Sequence, residues 1–186
     1  RSCSNLKAII NVTSDKCYEN EELDKSYKED DPMGGYDPYS SSKGCAELVT
    51  SAYRRSFLKT QNKGLASVRA GNVIGGGDWA ENRLIPDIYR SINRNKILKI
   101  RYPEASRPWQ HVLDVVNGYM ILAQTKNSGS WNFGPSTSQI RTVEEVASSI
   151  VQSIGKGTIQ IGPSNQKHHE ANLLQLNCDK AHQLLD

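Results

Sequence analysis

The chain has 186 residues, of which 37% are hydrophobic and 23% charged, and its formal net charge at pH 7 is +3. That length supports one domain of ordinary size with a buried core, and the small net charge does not indicate a nucleic-acid partner. No apolar stretch approaches the ~18 residues of a membrane span, and residues 1–4 lack a signal-peptide pattern, so we expect no membrane contact. The four cysteines show no Cys-x-x-Cys spacing, which favours reduced thiols, a cytoplasmic location and no bound metal.

The first half of the chain is predicted to alternate strands with helices. Leu6–Val12 is an isoleucine-rich run typical of a strand buried on both faces, and the charged segment Glu19–Asp31 is predicted to be a surface loop. Leu65–Val68 leads a second strand into residues 69–74, ahead of a glycine-rich loop. Between them a helix is expected over residues 39–57, because Pro38 suits a first helical turn and apolar residues recur at helical spacing, namely Cys45, Leu48, Val49, Ala52 and Tyr53.

The second half is predicted to contain shorter and more mixed elements. Helices are expected over Leu84–Ile92 and Val112–Gln124, the latter with an apolar side made of Val112, Val115, Val116, Tyr119, Met120 and Ala123. Another helix begins at Thr142, which forms a capping box with Glu145, and it ends at Gly155. The remaining predicted elements are three strands and a short helix, at Lys96–Arg101, Thr158–Ile161, Leu173–Leu176 and from Asp179.

This order of elements predicts an α/β protein with a partial doubly wound, Rossmann-like parallel sheet and a smaller mixed α/β substrate-binding region. We expect residues 1–75 to form the C-terminal part of a Rossmann-like NAD-binding domain, and residues 76–186 to form a nucleotide-sugar-binding region interleaved with it. So short a parallel sheet leaves an apolar edge unpaired. We therefore interpret the chain as part of a longer protein, or as one whose sheet edge another chain covers.

Tyr39 and Lys43 are the first candidates for chemistry. They lie four residues apart at the start of the predicted helix, so both side chains share one helix face. An ammonium beside a phenol favours the phenolate, and such a tyrosine can take a proton from a sugar or alcohol hydroxyl near neutral pH. This is half of a hydride-transfer site, although such a pair also occurs by chance on surface helices.

A second group of candidates, Ser14, Asp15 and Lys16, directly follows the first predicted strand. Open α/β sheets place their chemistry at this position, beyond the carboxyl ends of the strands. The same run also suits a simple turn in which Ser14 or Asp15 caps a backbone group.

Several motifs in order carry a resemblance to a known family. Ser14-Asp15-Lys16, Tyr39-x-x-x-Lys43 and the segment Arg69–Gly75 resemble the extended short-chain dehydrogenase/reductase superfamily. The wider pattern resembles the CDP-glucose 4,6-dehydratase family within it, through residues 31–39, 71–79, 107–114 and 131–135. The match covers nearly the whole chain.

The resemblance implies that CDP-glucose is converted to CDP-4-keto-6-deoxyglucose and water on one tightly bound NAD⁺. Hydride leaves sugar carbon 4, water is lost across carbons 5 and 6, and the same hydride returns to carbon 6. Tyr39 is implied as the base at the carbon-4 hydroxyl, Lys43 as its activator and ribose ligand, and Ser14 as a hydrogen-bond partner of that oxygen and of the cofactor. The family context further implies deoxysugar biosynthesis for lipopolysaccharide O-antigen.

Elimination of water needs an acid and a base, and the resemblance places Asp15 and Lys16 at these two tasks. Asp15 would protonate the leaving hydroxyl, which requires a pKa raised by burial. Many related dehydratases have glutamate at the position of Lys16, whereas the CDP-glucose type has lysine, which must be neutral to act as a base. This lysine leaves open which of Asp15 and Lys16 is the acid and which the base. An epimerase or reductase of the superfamily needs neither group, so the pair favours a dehydratase.

Six further residues are predicted to bind the nucleotide sugar, each with an ordinary structural alternative. Arg107 and Arg69 suit the diphosphate because guanidinium groups bind phosphate oxygens in pairs, but Arg69 suits a structural ion pair equally well. Asn72 suits a hydrogen bond to the ligand or a turn cap, and Arg83 suits the substrate side or a plain surface charge. His111 suits the nucleotide pocket or core packing, and Glu170 is a weak match that rests on the resemblance. Glu170 follows two histidines, but adjacent side chains diverge and no second cluster of ligands accompanies them, so no metal site is predicted.

NAD is predicted as the cofactor although the sequence lacks a dinucleotide fingerprint. Gly75–Gly77 has neither the G-x-G-x-x-G spacing nor the strand and helix that should flank it, so from this chain we expect contacts from Tyr39, Lys43 and Ser14. The alternatives are a nucleotide-sugar 4-epimerase and a non-catalytic fragment of such an enzyme. The resemblance also implies a homo-oligomer formed through the helix over residues 39–57, which its apolar stripe permits.

Overall fold

The structure is a computed structural model, and it describes residues 3, 5–21, 25–58, 61, 63–162 and 174–185. Its elements in chain order are β1 (Ala8–Val12), β2 (Ser26–Tyr27), α1 (Pro38–Tyr53), β3 (Gly64–Ala70), β4 (Val73–Ile74), α2 (Leu84–Asn93), β5 (Leu98–Ile100), β6 (Ser106–Arg107), β7 (Gln110–His111), α3 (Val112–Thr125), β8 (Gly129–Phe133), β9 (Arg141–Thr142), α4 (Val143–Ile154), β10 (Ile159–Ile161), β11 (Gln175–Leu176) and α5 (Asp179–Leu185). Among these helices none is long and apolar enough to cross a membrane.

A three-stranded parallel sheet organises the fold, with strand order β1-β3-β8. Val12 pairs with Val68 and Ala70 with Phe133, so the three carboxyl ends meet at one edge. Because successive side chains of a strand point to opposite faces, the sheet has one apolar and one polar face, each covered by a helix. The predicted α/β fold with a parallel sheet is confirmed, whereas the division into two regions stays a prediction.

The burial predicted for the first strand is wrong. β1 begins at Ala8 rather than Leu6, its residues are half-buried, and the Val12 side chain is 58% exposed. Within the described residues β1 pairs with β3 on one side and has no strand on the other. An edge strand is shielded by one neighbour instead of two, which explains the exposure.

The apolar face of the sheet packs against α3 and α5. Ala66, Val68 and Trp131 contact Leu122 of α3 and Ala181 of α5. The predicted apolar side of α3 is therefore partly wrong, because Val116 and Met120 are exposed, and Leu122 is fully buried. Val115, Tyr119 and Leu122 have the i, i+4, i+7 spacing of the face that meets the sheet.

The helix α1 covers the polar face and begins as predicted. Pro38 is its first residue, and the Asp37 carboxylate accepts hydrogen bonds from the backbone N–H groups of Tyr39 and Ser40. Its buried residues are polar or small, namely Ser40, Gly44, Glu47 and Thr50. The apolar residues expected at helical spacing point away from the sheet, and Leu48 is 61% exposed.

A second cluster packs beside the sheet, where α2 and α4 cover the parallel pair β5-β10. The capping box of α4 forms as predicted, because the Thr142 hydroxyl accepts from the Glu145 N–H and the Glu145 carboxylate accepts from the Thr142 N–H. Gly155 ends the helix in the left-handed conformation. The apolar members of this second cluster are Ile88, Ile92, Leu98, Ile100 and Ala147.

The segment Glu19–Asp31 is more than the predicted surface loop. It contains β2, which pairs in parallel with β11, and Tyr27 is almost fully buried against Tyr18 and Leu176. The pairing joins residues about 150 positions apart in sequence, Ser26 with Gln175 and Tyr27 with Leu176. Strands this short and distant carry no local periodicity, so the charged composition of the segment was misleading.

Candidate functional site

A cavity of about 970 Å³ lies at the carboxyl edge of the sheet, a volume typical of small-molecule sites. Its walls come from the turn after β1, the start of α1, the segment after β3 and the loops on both sides of β5. It brings together eight of the residues predicted from the sequence, namely Ser14, Asp15, Lys16, Tyr39, Asn72, Arg83, Arg107 and His111. Lys43 and Arg69 do not line it, and Glu170 lies outside the described residues.

The turn after β1 combines both interpretations that the sequence allowed. The Ser14 hydroxyl accepts a hydrogen bond of 3.2 Å from the Lys16 N–H and donates one of 2.9 Å to the Asp15 carboxyl. Ser14 thus caps the short 3₁₀ turn Asp15–Cys17 while its side chain borders the cavity. The same bonds fix the orientation of the Asp15 carboxyl.

Asp15 lies in a buried environment that favours the protonated form of its carboxyl. It is 4% exposed, and burial raises its pKa above the ordinary value of 3.8. The neighbouring Lys16 ammonium, the hydrogen bond from Ser14 and the Arg107 guanidinium oppose this shift without cancelling it. The cavity therefore contains a buried group suited to donate a proton, next to a lysine.

Tyr39 and Lys43 contact each other as their spacing predicts. The Lys43 ammonium lies 5.3 Å from the centroid of the Tyr39 ring, a cation–π contact between neighbours on one helix face. Tyr39 is 56% exposed on the cavity wall, and Lys43 sits one turn behind it. A ligand hydroxyl in the cavity can thus reach the phenol without displacing core residues.

The structure gives Arg69 the alternative role, a structural ion pair. Its side chain is fully buried under α1, and its Nη2 lies 2.8 Å from the Glu47 Oε2. The side chain points to the polar face of the sheet rather than past its carboxyl edge, so it is not placed to bind a substrate diphosphate. The direction of the Arg69 side chain depends on the face of β3 from which it projects, and composition does not reveal that face.

The other predicted binding residues converge from separate segments. Parallel pairing of β4 with β7 brings Asn72 next to Gln110, whose N–H donates to the Asn72 carbonyl, and it places His111 nearby. His111 also caps α3, because its Nδ1 accepts from the Leu113 N–H at 3.3 Å. Arg83 precedes α2 and forms an exposed ion pair of 3.9 Å with Asp78.

Arg107 is the most buried cation of the cavity. Its side chain is 6% exposed, and one guanidinium nitrogen donates to the Ser106 carbonyl at 2.9 Å. The charge is close enough to act on the pKa of Asp15. A buried guanidinium beside the cavity fits a phosphate-bearing ligand.

Two features of the site were not predicted from the sequence. Trp79 is 64% exposed and lines the cavity from the loop after β4, although only its place in a motif had been noted. Glu47 lies under the sheet side of α1, one turn beyond Lys43. A glutamate inside a run of apolar helix residues was the available signal for it.

Part of a dinucleotide fits this chain. Tyr39 and Ser14 border the cavity beside the open edge of β1, where Val12 also lines it, so a ribose and a flat ring have room and hydrogen-bond partners. A G-x-G-x-x-G turn that would hold the pyrophosphate is absent from the sequence. The described residues thus suit the nicotinamide end of NAD and not its phosphates.

The parallel sheet, the Ser-Asp-Lys turn after its first strand and the Tyr-x-x-x-Lys helix define a Rossmann-like α/β protein of the short-chain dehydrogenase/reductase type. The chain belongs to the NAD dependent epimerase/dehydratase family, which it matches over residues 1–134. It is 50% identical to a CDP-glucose 4,6-dehydratase of Salmonella typhimurium over 196 aligned residues, covering 100% of this chain and 55% of that protein. It is 27% identical to the low-salt glycan biosynthesis protein Agl12 of Haloferax volcanii, covering 85% and 49% of the two chains.

Solved structures share the fold. A dTDP-glucose 4,6-dehydratase from Bacillus anthracis in complex with NAD superimposes with a TM-score of 0.79 at 22% identity, covering 94% of this chain and 54% of that one. A UDP-N-acetylglucosamine 4-epimerase from Methanobrevibacter ruminantium gives a TM-score of 0.81 at 17% identity, covering 96% and 56%. The fold is therefore common to dehydratases and epimerases, and the chain spans about half the length of the curated relatives it matches.

Proposed function

We propose that this chain carries the catalytic groups of an NAD-dependent dehydratase that converts CDP-glucose to CDP-4-keto-6-deoxyglucose and water. The observation that carries the proposal is Asp15, a buried carboxyl with a raised pKa that shares one cavity with Lys16 and Tyr39. Oxidation of a sugar carbon needs the tyrosine and lysine pair, whereas loss of water needs an additional proton donor. The half-identical relative named as a CDP-glucose 4,6-dehydratase supports the choice of reaction.

Tyr39 is assigned to remove the proton of the carbon-4 hydroxyl. Its position on the cavity wall makes the phenol accessible, and the Lys43 ammonium lies 5.3 Å from the centroid of its ring. The Ser14 hydroxyl, already oriented by its bonds to Asp15 and Lys16, hydrogen-bonds the same sugar oxygen. NAD⁺, when bound, supplies the acceptor and later donor of hydride, and Tyr39, Lys43 and Ser14 are the residues assigned to its nicotinamide and ribose.

Asp15 is assigned to protonate the hydroxyl that leaves carbon 6. Burial raises the pKa of this carboxyl, which favours the protonated form that such an acid needs. Lys16, the next residue, faces the same cavity and is the candidate base for the carbon-5 proton, for which it must be uncharged. Proton transfer in both directions is thus assigned to one short turn.

Arg107 is assigned to the diphosphate, with Arg83, Asn72 and His111 along the same cavity wall. A guanidinium at 6% exposure binds phosphate oxygens with little competition from water. The Trp79 and Trp109 rings also line the cavity and offer flat surfaces for a base. Glu170 stays a candidate ligand from the sequence, outside the described residues.

The proposal includes a homodimer formed through α1. Leu48, Val49 and Tyr53 project from this helix with more than half of each side chain exposed. A contiguous apolar stripe of this kind marks an interaction surface.

A cytoplasmic location and the supply of a deoxysugar to lipopolysaccharide O-antigen complete the proposal.

The test is to incubate the complete gene product with NAD⁺ and CDP-glucose and to determine the product by mass spectrometry and NMR. We expect a 4-keto-6-deoxy sugar lighter than the substrate by one water molecule. A sugar of unchanged mass with inverted carbon 4 would establish the epimerase instead. UDP-glucose and dTDP-glucose in parallel incubations measure the selectivity for the base.

The remaining alternative is a non-catalytic fragment that keeps the binding surface without turnover. Its test is a calorimetric titration of the 186-residue chain with NAD⁺. Because the sequence lacks a pyrophosphate-binding turn, we expect weak or no saturable binding by this chain. Tight binding would contradict the assignment of the cofactor contacts to Tyr39, Lys43 and Ser14 alone.

A further inference from the structure

The helix that carries Tyr39 and Lys43 rests on the sheet through a buried carboxylate. Glu47 of α1 accepts hydrogen bonds from the Thr13 hydroxyl at 2.5 Å, the Ser67 hydroxyl at 2.6 Å and Arg69 Nη2 at 2.8 Å. A longer bond of 3.4 Å comes from the Ser130 hydroxyl. All three sheet strands, or the residue directly after one, thus converge on one side chain that is 1% exposed.

Arg69 extends this contact to the rest of the structure. Its Nη1 donates to the Tyr18 hydroxyl at 2.7 Å and to the Glu29 carbonyl at 3.0 Å. The Tyr18 hydroxyl donates in turn to the Asn132 side chain at 2.7 Å. Tyr18 directly follows the turn Asp15–Cys17, so the network contacts the residues on both sides of the proposed acid and base.

The network is a poor device for stability alone. Two buried charges lose their hydration, and the Arg69 Nε has no hydrogen-bond partner among the described residues. Burial disfavours the Glu47 carboxylate, although the hydrogen bonds and the charge of Arg69 still hold its pKa below the ordinary range. Apolar side chains of similar volume often replace such a pair without loss of stability.

The network instead fixes the position of helix α1 on the sheet. The apolar side of α1 faces outwards, so the helix is not held on the sheet by apolar contacts, which would allow it to slide. Hydrogen bonds between fixed donors and one carboxylate define a single position instead. Glu47 lies about 6 Å along the helix axis from Lys43 and about 12 Å from Tyr39, while its donor Thr13 is bonded to Ser14.

We propose that Glu47, held by Arg69, is a positioning residue that sets Tyr39 and Lys43 against Ser14 and Asp15. One carboxylate joins the helix that provides the base to the turn that provides the acid. This inference rests on the proposed function, because those four residues are its catalytic groups. Neither Glu47 nor Arg69 lines the cavity, so both act through other residues.

The experiment compares two double variants of the complete gene product supplied with NAD⁺. In Glu47→Leu/Arg69→Leu, the network loses its polar contacts and its charges together. In Glu47→Gln/Arg69→Gln, neutral amides keep an acceptor for the Thr13 and Ser67 hydroxyls. We expect kcat for CDP-glucose to fall about 100-fold in the leucine pair and to recover at least tenfold in the glutamine pair, with KM within about threefold throughout.

Thr50→Val is the matched control, since Thr50 lies on the same buried side of α1 and accepts from the Asn11 side chain at 2.6 Å without contacting Thr13. We expect it to lower Tm while changing kcat less than threefold. A kcat that follows Tm across all variants would show a merely structural role and overturn the inference. If the leucine pair does not fold, the glutamine pair still decides, because a folded glutamine pair whose kcat falls by about 100-fold despite its retained acceptor would overturn the inference too.

The two proposals fail in different ways. If the wild type releases no dehydrated product, the proposed function fails, and the kcat comparison is made with whichever nucleotide sugar it converts. If the wild type dehydrates CDP-glucose and the leucine pair retains its kcat, the function stands and the positioning role of Glu47 is lost.

Discussion

The Ser14 hydroxyl donates a 2.9 Å hydrogen bond to Oδ1 of Asp15, a carboxyl whose pKa is raised by burial. Ser14 also caps the turn that presents this carboxyl to the cavity. One serine therefore fixes the orientation of the proposed acid and is itself fixed by it. The proton of Asp15 and its orientation are two separate properties, and each can be removed by substitution.

Asp15→Asn is expected to abolish loss of water while leaving substrate binding intact. The amide has the shape of the acid but no proton to give, and a positioned acid contributes about 10²–10⁴-fold to a rate. We expect dehydration of CDP-glucose to slow by that range, with its Kd changed less than threefold. Mass spectrometry and calorimetry measure the two quantities.

Asp114→Asn is the control for this substitution, because Asp114 is an exposed aspartate in the first turn of α3. It should dehydrate CDP-glucose at the wild-type rate. Equal rates for Asp15→Asn and Asp114→Asn would remove Asp15 from the mechanism.

The raised pKa of Asp15 also predicts how stability depends on pH. The folded protein holds this proton at pH values where the unfolded chain, with a pKa near 3.8, has released it. The folded state then binds more protons, so the contribution of Asp15 to stability falls as pH rises from about 3.8 through its folded pKa. Asp15→Asn should therefore gain Tm relative to wild type at pH 7 compared with pH 4, as measured by calorimetry.

The absence of that relative gain would mean that folding does not raise the pKa of Asp15. The same titration limits catalysis, since only the protonated carboxyl donates. We expect the rate of water loss to decline as pH rises through the folded pKa of Asp15, and a rate that increases instead would favour Lys16 as the limiting group.

Tyr39→Phe is expected to stop turnover without disturbing the fold. The side chain is 56% exposed, and helix α1 begins through the Asp37 cap and Pro38, neither of which needs the phenol. We expect kcat to fall by about 10²–10⁴ with Tm unchanged. Tyr36→Phe, a change at an 83% exposed tyrosine three residues earlier, should retain full activity. Comparable losses in both variants would point to the segment rather than to the Tyr39 hydroxyl.

The sequence predicted those parts of the molecule that depend on neighbouring residues. The capping box at Thr142 and Glu145, the start of α1 at Pro38 and the contact between Tyr39 and Lys43 are all set within one or two helical turns. Arg69 was ambiguous because its partner, Glu47, lies on another element and its strand face is fixed by pairing with β1 and β8. Burial of Tyr27 was missed for the same reason, since the pairing strand lies near the other end of the chain.

The exposed stripe of α1 predicts self-association. Leu48, Val49 and Tyr53 together expose an apolar surface beside the catalytic helix residues, although the buried side of this helix is polar. Leu48→Glu should therefore shift the complete gene product from dimer to monomer, because a charge in an apolar interface loses its hydration without a partner. Sedimentation velocity across a range of protein concentrations measures the change.

Leu113→Glu provides the control, since Leu113 is a similarly exposed leucine on α3, at 68% against 61% for Leu48. It should leave the oligomeric state unchanged, and both variants should keep the wild-type helix content by circular dichroism because neither side chain is in the core. A dimer that survives Leu48→Glu but dissociates with Leu113→Glu would move the interface to α3. A wild type that is monomeric at every concentration would contradict a dimer through either helix.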